Sequence, residues 1–170
     1  MITTIIGDLL DTKATYICHQ VNCAGAMRSG VAKAIREKWP VVYEEYMNNY
    51  NTASAKVSNP SEMHNYGKDP SEFLLGTCQA VPINDHQFVI NMFAQANYGY
   101  DGKRYTSYDA FYTCLERIAK VIPKGSTIAF PRKIGCCRGG ADWDVIFVMI
   151  RQVLGMDYTV LIYDLGLGKE

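Results

Sequence analysis

The sequence contains no apolar run near the roughly 20 residues that a bilayer-spanning helix needs, so no membrane partner is expected. It has no C-x-x-C pair among its cysteines, Cys18, Cys23, Cys78, Cys114, Cys136 and Cys137. The paired spacing of a zinc site is therefore missing, and no metal is called for. It has no excess charge: 17 basic residues balance 17 acidic ones. Bulk electrostatics thus gives no argument for an anionic membrane or for direct nucleic-acid binding. The opening "MITTIIGDLLD" has an early aspartate and no basic region before an apolar one, so no secretory leader is expected. Reduced thiols in a cytoplasmic protein are the expectation. No internal repeat, low-complexity tract or linker divides residues 1–170, which reads as a single domain. Neither G-x-G-x-x-G nor G-x(4)-G-K-[ST] occurs at the glycine-bearing stretches. The usual dinucleotide and P-loop mechanisms are therefore unsupported.

What is present suits a globular core: 48% hydrophobic and 20% charged residues in 170. "ITTIIGD" and "TYICHQVN" read as strands. "SGVAKAIREKW" places Val31, Ala34, Ile35 and Trp39 on one helical face. Pro40 interrupts it, and "VVYEEYMNNY" resumes with Val42, Tyr43, Tyr46 and Met47. Residues 51–71 are polar, with prolines and a glycine, and read as loop. "EFLLGTCQAVPI" and "QFVINMFAQ" read as two strands of a hairpin turning near Asn84 and Asp85. "SYDAFYTCLERIAKVI" is a helix with a stripe of Tyr108, Phe111, Tyr112, Leu115, Ile118, Ala119 and Ile122. Thr106 or Ser107 would cap it. "STIAFP" is a strand. "WDVIFVMIRQVL" is a helix with Ile146, Met149, Ile150 and Val153 inward and Gly155 at its end. "YTVLIYDL" is a final strand. This alternation predicts an α/β fold with a mixed, partly parallel sheet and helices on both faces.

Three long loops of small residues sit where strands lead to helices: "NCAGAMRSGVA", "ANYGYDGKRYT" and "RKIGCCRGGAD". Ligands of open α/β sheets bind at that kind of position. Glycine lets the main chain approach a ligand closely, and unpaired amides at a helix start favour phosphate. One such loop alone would be an ordinary turn. The first and third together point to a nucleotide-like diphosphate.

Four stretches, "GDLL", "HQVNCAGAMRSGVAKAIREKWP", "NMFAQANYGYDGKRYTSYDAF" and "FPRKIGCCRGGADWDVI", resemble the macrodomain family of ADP-ribose-binding modules in order and spacing. The likeness covers essentially the whole chain. It is nearest to the small bacterial, phage and yeast branch that processes ADP-ribose 1''-phosphate. The resemblance implies a three-layer α/β/α sandwich on a six-stranded mixed sheet, ADP-ribose or a derivative as ligand, and no cofactor. An ADP-ribosylated macromolecule is a further implied partner. By position, Asp8 would accept a hydrogen bond from the adenine amino group, with Leu9 beside it. Asn22 would lie near the distal ribose. Ala24, Gly25, Ala26, Met27, Arg28, Ser29, Gly30 and Val31 would wrap the diphosphate and distal ribose. Ile134, Gly135, Cys136, Cys137, Arg138, Gly139 and Gly140 would close over the phosphates, and Tyr163 would pack near adenine or simply in the core. The family's first loop is closer to "GVMGSGVA" and its second to "IGCGLAGGDW". Ala26, Arg28, Cys137, Arg138 and Ala141 depart from these. Cys137 would distort the loop if that position needs positive φ.

Related ester-hydrolysing members use a lysine before "AQ" and an aspartate in the second glycine loop. The matching positions here carry "NMF" and Gly139, so neither role is filled. A phosphatase needs an activated water and an acid. The candidates are His19, Asn22 and Asp142. His19 also suits a half-buried strand, and Asp142 also suits a helix start. Cys23, Cys136 and Cys137 lack an evident histidine partner and read as inert thiols. Two classes stay open: an enzyme acting on ADP-ribose derivatives, and a module that only binds ADP-ribose.

Overall fold

The β-branched run Ile2–Ile6 forms β1, and Asp8 then caps a single 3-10 turn over Leu9–Asp11. The computed structural model describes residues 1–166. The other strands are β2 (Tyr16–Asn22), β3 (Cys78–Pro82), β4 (Phe88–Gln95), β5 (Thr127–Pro131) and β6 (Thr159–Asp164). The helices are α1 (Gly30–Lys38), α2 (Pro40–Ser58), α3 (Ser71–Leu74), α4 (Tyr108–Val121) and α5 (Trp143–Leu154). One six-stranded sheet runs in the order β1-β6-β5-β2-β4-β3. Every neighbouring pair is parallel except β3 with β4, which form the expected antiparallel hairpin. It is a mixed sheet in a three-layer α/β/α sandwich.

The layers follow from the two-residue period of the strands. Ile128 and Phe130 face one side with α4 and α5, where Phe111, Leu115, Ile146 and Ile150 are buried. Ala129 faces the other, with Ile17, Val21 and Phe93, against Ile35 of α1 and Val42 and Tyr46 of α2. Because β1, β6, β5, β2 and β4 run parallel, their carboxyl ends share one edge. The segments from residues 7, 23, 96, 132 and 165 therefore emerge together.

Three local expectations are corrected. Residues 51–58, read as loop, continue α2 to Ser58. Packing overrides the weak propensity of "NNYNTAS": Ala53 is buried against the same core as Tyr46. The helix stops at Asn59, which precedes Pro60 and is pushed to extended backbone (φ −87°, ψ 111°). "EFLL", read as the start of a strand, lies largely in α3, with Leu74 buried in the α1/α2 layer. In α4 the inner face is rotated toward the small residues Ala110 and Cys114, both buried, while Tyr108, Tyr112 and Ala119 are half-buried. Small side chains there let the helix lie close on β3 and β4. The cap is Ser107, whose side chain accepts from Ala110 N.

Candidate functional site

The first loop is shaped by a tyrosine from α2. The Tyr46 hydroxyl lies 2.7 Å from Asn22 Oδ1 and 2.9 Å from Asn22 O, and it accepts from Ala26 N at 3.0 Å. Burial pushes the Tyr46 pKa up, so the hydroxyl keeps its proton. Asn22 Nδ2 donates to Ala26 O at 2.8 Å, and Oδ1 accepts from Ala24 N at 3.0 Å and Ala26 N at 3.3 Å. Asn22 is thus a turn asparagine whose amide closes the loop on itself. Gly25 has φ +79°, and a Cβ there would lie 3.0 Å from the Tyr50 ring. Met27 is 1% exposed, and Ala26 is also buried, so their side chains belong to the core. What they offer a ligand is main chain. Arg28 is exposed and forms no ion pair among the described residues.

α1 begins at Gly30 without a side-chain cap, for Ser29 makes no capping bond. The first helical bond is Lys33 N to Ser29 O at 3.2 Å. The amides of Gly30, Val31 and Ala32 come before it and have no intrahelical partner. A Cβ on Gly30 (φ +59°) would meet nothing within 4 Å, so open space lies over this end. α5 is different. Asp142 Oδ1 accepts from Asp144 N at 2.8 Å, and Asp142 N donates to the Tyr108 hydroxyl at 2.9 Å. Of the two glycine-loop helices, only α1 presents an uncapped, positively polarised start.

The second and third loops interlock. Tyr105 N and Thr106 N both donate to Gly139 O, at 2.8 and 2.9 Å, and Ala141 N donates to Gly135 O at 3.0 Å. Thr106 Oγ1 donates to Gly135 O at 2.8 Å. The second loop is itself tied: Asp101 Oδ1 accepts from Lys103 N at 3.1 Å and from the Tyr105 hydroxyl at 2.9 Å. Those two donors hold the exposed Asp101 carboxyl below its usual value. A cavity of about 250 Å³ between the loops is lined by Gly99, Tyr100, Gly102, Lys103, Cys137, Arg138 and Gly140. The Arg138 guanidinium sits 4.3 Å from the centroid of the Tyr100 ring. Lys133 is the sole non-glycine residue with positive φ among the described residues. Cys137 therefore sits in its loop without left-handed strain. Ile134 is buried in the α4/α5 layer, so its side chain too is core.

At the far side of the edge, Asp8 is exposed and spends Oδ1 on Leu10 N at 2.9 Å. Leu9 is buried in the α1/α2 layer. Tyr163 lies in β6 opposite Ile5, and a Cβ on Gly7 would be 3.9 Å from its ring. Tyr163 and Asp8 thus flank one end of the edge. From β1 to β2, across β6 and β5, the distance is roughly 14 Å at the usual strand spacing.

His19 is not at this edge. It sits three residues before the end of β2, 1% exposed, with Nε2 2.5 Å from Asn91 Oδ1. Asn91 Nδ2 donates on to Gln79 Oε1, and Gln79 Nε2 to Glu45 O. Burial lowers the His19 pKa to about 4 against the opposing Asn91 bond, so the ring is neutral at pH 7. Its Nδ1 has no hydrogen-bond partner among the described residues. The structure therefore brings Asp8, the first loop, the third loop, Asp142 and Tyr163 to one edge, and leaves His19 in the core. All six cysteines are free. Burial raises Cys23 to about 12 and Cys136 to about 11, which keeps both thiols protonated and poorly nucleophilic. Sequence reasoning missed the roles of Gln20, Tyr46, Tyr50, Gln95 and Thr106, which shape the loops from below. Gln95 and Thr106 stand within the "NMFAQANYGYDGKRYTSYDAF" stretch, but their partners are distant in sequence.

No family model and no curated protein matches the chain. Solved structures do. One is a protein of unknown function from Bacteroides thetaiotaomicron, 26% identical over 96% of this chain and 98% of that one, with a TM-score of 0.75. Another is a macrodomain protein from Streptomyces coelicolor, 24% identical over 98% and 100%, TM-score 0.72. A third is the Thermosipho africanus DarTG protein in complex with ADP-ribose, 18% identical over 99% of this chain and 42% of that one, TM-score 0.69. With the layers described above, these place the chain among α/β/α sandwiches. More narrowly, the chain has the macrodomain fold.

Proposed function

We propose that this protein binds ADP-ribose or an ADP-ribose derivative, free or carried on a macromolecule, along the carboxyl edge of the sheet. The observation that carries the reading is the open start of α1, where the amides of Gly30–Ala32 have no intrahelical partner and the space over Gly30 is empty, beside a loop that offers main chain. The diphosphate sits there, covered by Gly135–Gly140 of the third loop. Asp8 accepts from the adenine amino group with its second carboxylate oxygen, and Tyr163 packs beside the base. The roughly 14 Å from β1 to β2 suits a molecule as long as a nucleoside diphosphate better than a lone phosphate. The Thermosipho africanus DarTG structure, part of which shares this fold, is a complex with ADP-ribose, which supports the choice of nucleotide. No helix of the described residues is long and apolar enough to cross a membrane, and six free thiols fit a reducing compartment such as the cytoplasm.

A second reading is hydrolysis, with ADP-ribose 1''-phosphate as substrate. His19 is buried, and Asn22 is engaged in its turn through both Oδ1 and Nδ2. Asp142 is exposed and leaves Oδ2 outside its cap, so this reading rests on Asp142 as the group that orients or activates water. Calorimetry with ADP-ribose, together with phosphate release from ADP-ribose 1''-phosphate, separates the two. Heat without phosphate release leaves binding alone. Phosphate release abolished by Asp142→Asn, which keeps the capping oxygen, establishes the enzyme. No heat with ADP-ribose overturns the proposal.

A further inference from the structure

We infer that Thr106 is a positioning residue, which sets the main chain of the third loop from beneath and so the shape that 135–140 present to a ligand. The ligand part rests on the binding reading above. Thr106 is 2% exposed, and both its N–H and its hydroxyl are hydrogen-bonded. Its N–H donates to Gly139 O at 2.9 Å, and its hydroxyl proton goes to Gly135 O at 2.8 Å. The hydroxyl lone pair takes Gln20 Nε2 at 2.8 Å. Gln20 Nε2 also donates to Gln95 Oε1 at 2.7 Å, and Gln95 Nε2 to Asn97 O at 2.9 Å. The proton direction is fixed along this path. Gln20 can only donate through Nε2, so the Thr106 hydroxyl must turn its proton toward Gly135.

The same residue explains a glycine. A Cβ on Gly139 would collide with Thr106 Oγ1 and with Gly135 O. A Cβ on Gly135 would come within 2.8 Å of Gln20 Oε1 and 3.1 Å of Thr106 Oγ1. The third loop is thus folded down onto a polar floor made by Gln20 of β2, Gln95 of β4 and Thr106 of the second loop. The isolated antiparallel bridge between Gln95 and Thr106 fastens that floor to the sheet. A carbonyl that meets a methyl group instead of a hydroxyl rests at about 3.3–3.6 Å. Thr106→Val would therefore move Gly135 O outward by at least roughly half an ångström from its hydrogen-bonded distance, and it would leave one Gln20 donor without Thr106.

Hydrogen exchange on the ligand-free protein tests this directly. In Thr106→Val the amides of Tyr105 and Ala141, which bond to Gly139 O and Gly135 O, exchange about tenfold faster, the worth of one lost hydrogen bond. Amides of the β2–β4 ladder stay unchanged. Thr106→Ser, which keeps the hydroxyl, restores slow exchange. ADP-ribose affinity falls by up to about tenfold in the valine variant and recovers in the serine variant. Should Thr106→Val fail to fold, Gln20→Met, which removes the orienting donor, takes its place with the same expectations. Unchanged exchange at Tyr105 and Ala141, a uniform rise across the whole sheet, or a serine variant as defective as valine overturns the inference. Wild-type protein that gives no heat with ADP-ribose sinks the binding reading instead, and the exchange data still decide the role of Thr106.

Discussion

Replacing Tyr46 with phenylalanine removes one oxygen from the centre of the first loop. The ring stays: it is 0% exposed and stacks on Phe93 at 5.6 Å and 16°. Apolar burial is therefore unchanged, and the whole cost lies in hydrogen bonding. Ala26 N loses its 3.0 Å acceptor and keeps the longer bond to Asn22 Oδ1 at 3.3 Å. Asn22 loses the one proton the hydroxyl supplied to Oδ1 or to O. A buried group stripped of its partner costs about 1–3 kcal/mol, and the surviving long bond puts this case near the middle, about 2 kcal/mol. For a chain of this length that lowers the melting temperature by about 4–8 °C. Urea unfolding of both proteins gives the free-energy difference, with unchanged m-values showing that the folded state is otherwise kept. A loss under about 0.5 kcal/mol, within the scatter of ordinary surface changes, would refute the view that this hydroxyl holds the loop.

Gly30→Glu puts a carboxylate in the free space over the start of α1, at a residue with φ +59°. ADP-ribose affinity should fall by about 100-fold or more through like-charge repulsion and backbone strain, and unchanged affinity in calorimetry removes the first loop from the site. His19 has a folded pKa of about 4 against an unfolded 6.5. The unfolded chain therefore takes up a proton first as pH falls, and the contribution present above pH 6.5 is lost on the way down to about 4. That amounts to about 3 kcal/mol. Comparing wild type with His19→Gln by urea unfolding at pH 7 and pH 4.5 should show the wild type losing about 2–3 kcal/mol more, and parallel losses contradict it. Cys137 is exposed while Cys18, Cys23 and Cys114 are buried. A disulfide reagent at pH 8 should find a fast thiol that Cys137→Ser removes, and an unaltered fast phase in that variant argues against the placement of the third loop.

Much of the architecture was legible because its signals are local. The apolar run in "TYICHQVN" reports a buried strand, the 3.6-residue stripe of α4 reports a face turned to a core, and Asn84-Asp85 marks the hairpin turn. The errors arose where tertiary packing outweighs local preference. Residues 51–58 look like loop until Ala53 is seen against the Tyr46 layer. "EFLL" is apolar enough for a strand, yet Leu74 reaches the core from a single helical turn. The rotation of α4 toward Ala110 and Cys114 was hidden because small residues add little to a hydrophobic stripe. The loops themselves stood out as long, small-residue stretches. What holds them did not, since Tyr46 lies 24 residues from Asn22 and Thr106 lies 29 from Gly135. His19 looked chemically attractive because sequence cannot tell depth along a strand. Only the register opposite Asn91 puts it below the rim.

The central claim is that a diphosphate lies between the open start of α1 and the third loop. A crystal structure of the protein with ADP-ribose tests it most directly. The account predicts phosphate oxygens on the amides of Gly30–Ala32, residues 135–140 over them, and the adenine amino group at Asp8. A nucleotide found away from that rim, or phosphates held without the α1 amides, would contradict it.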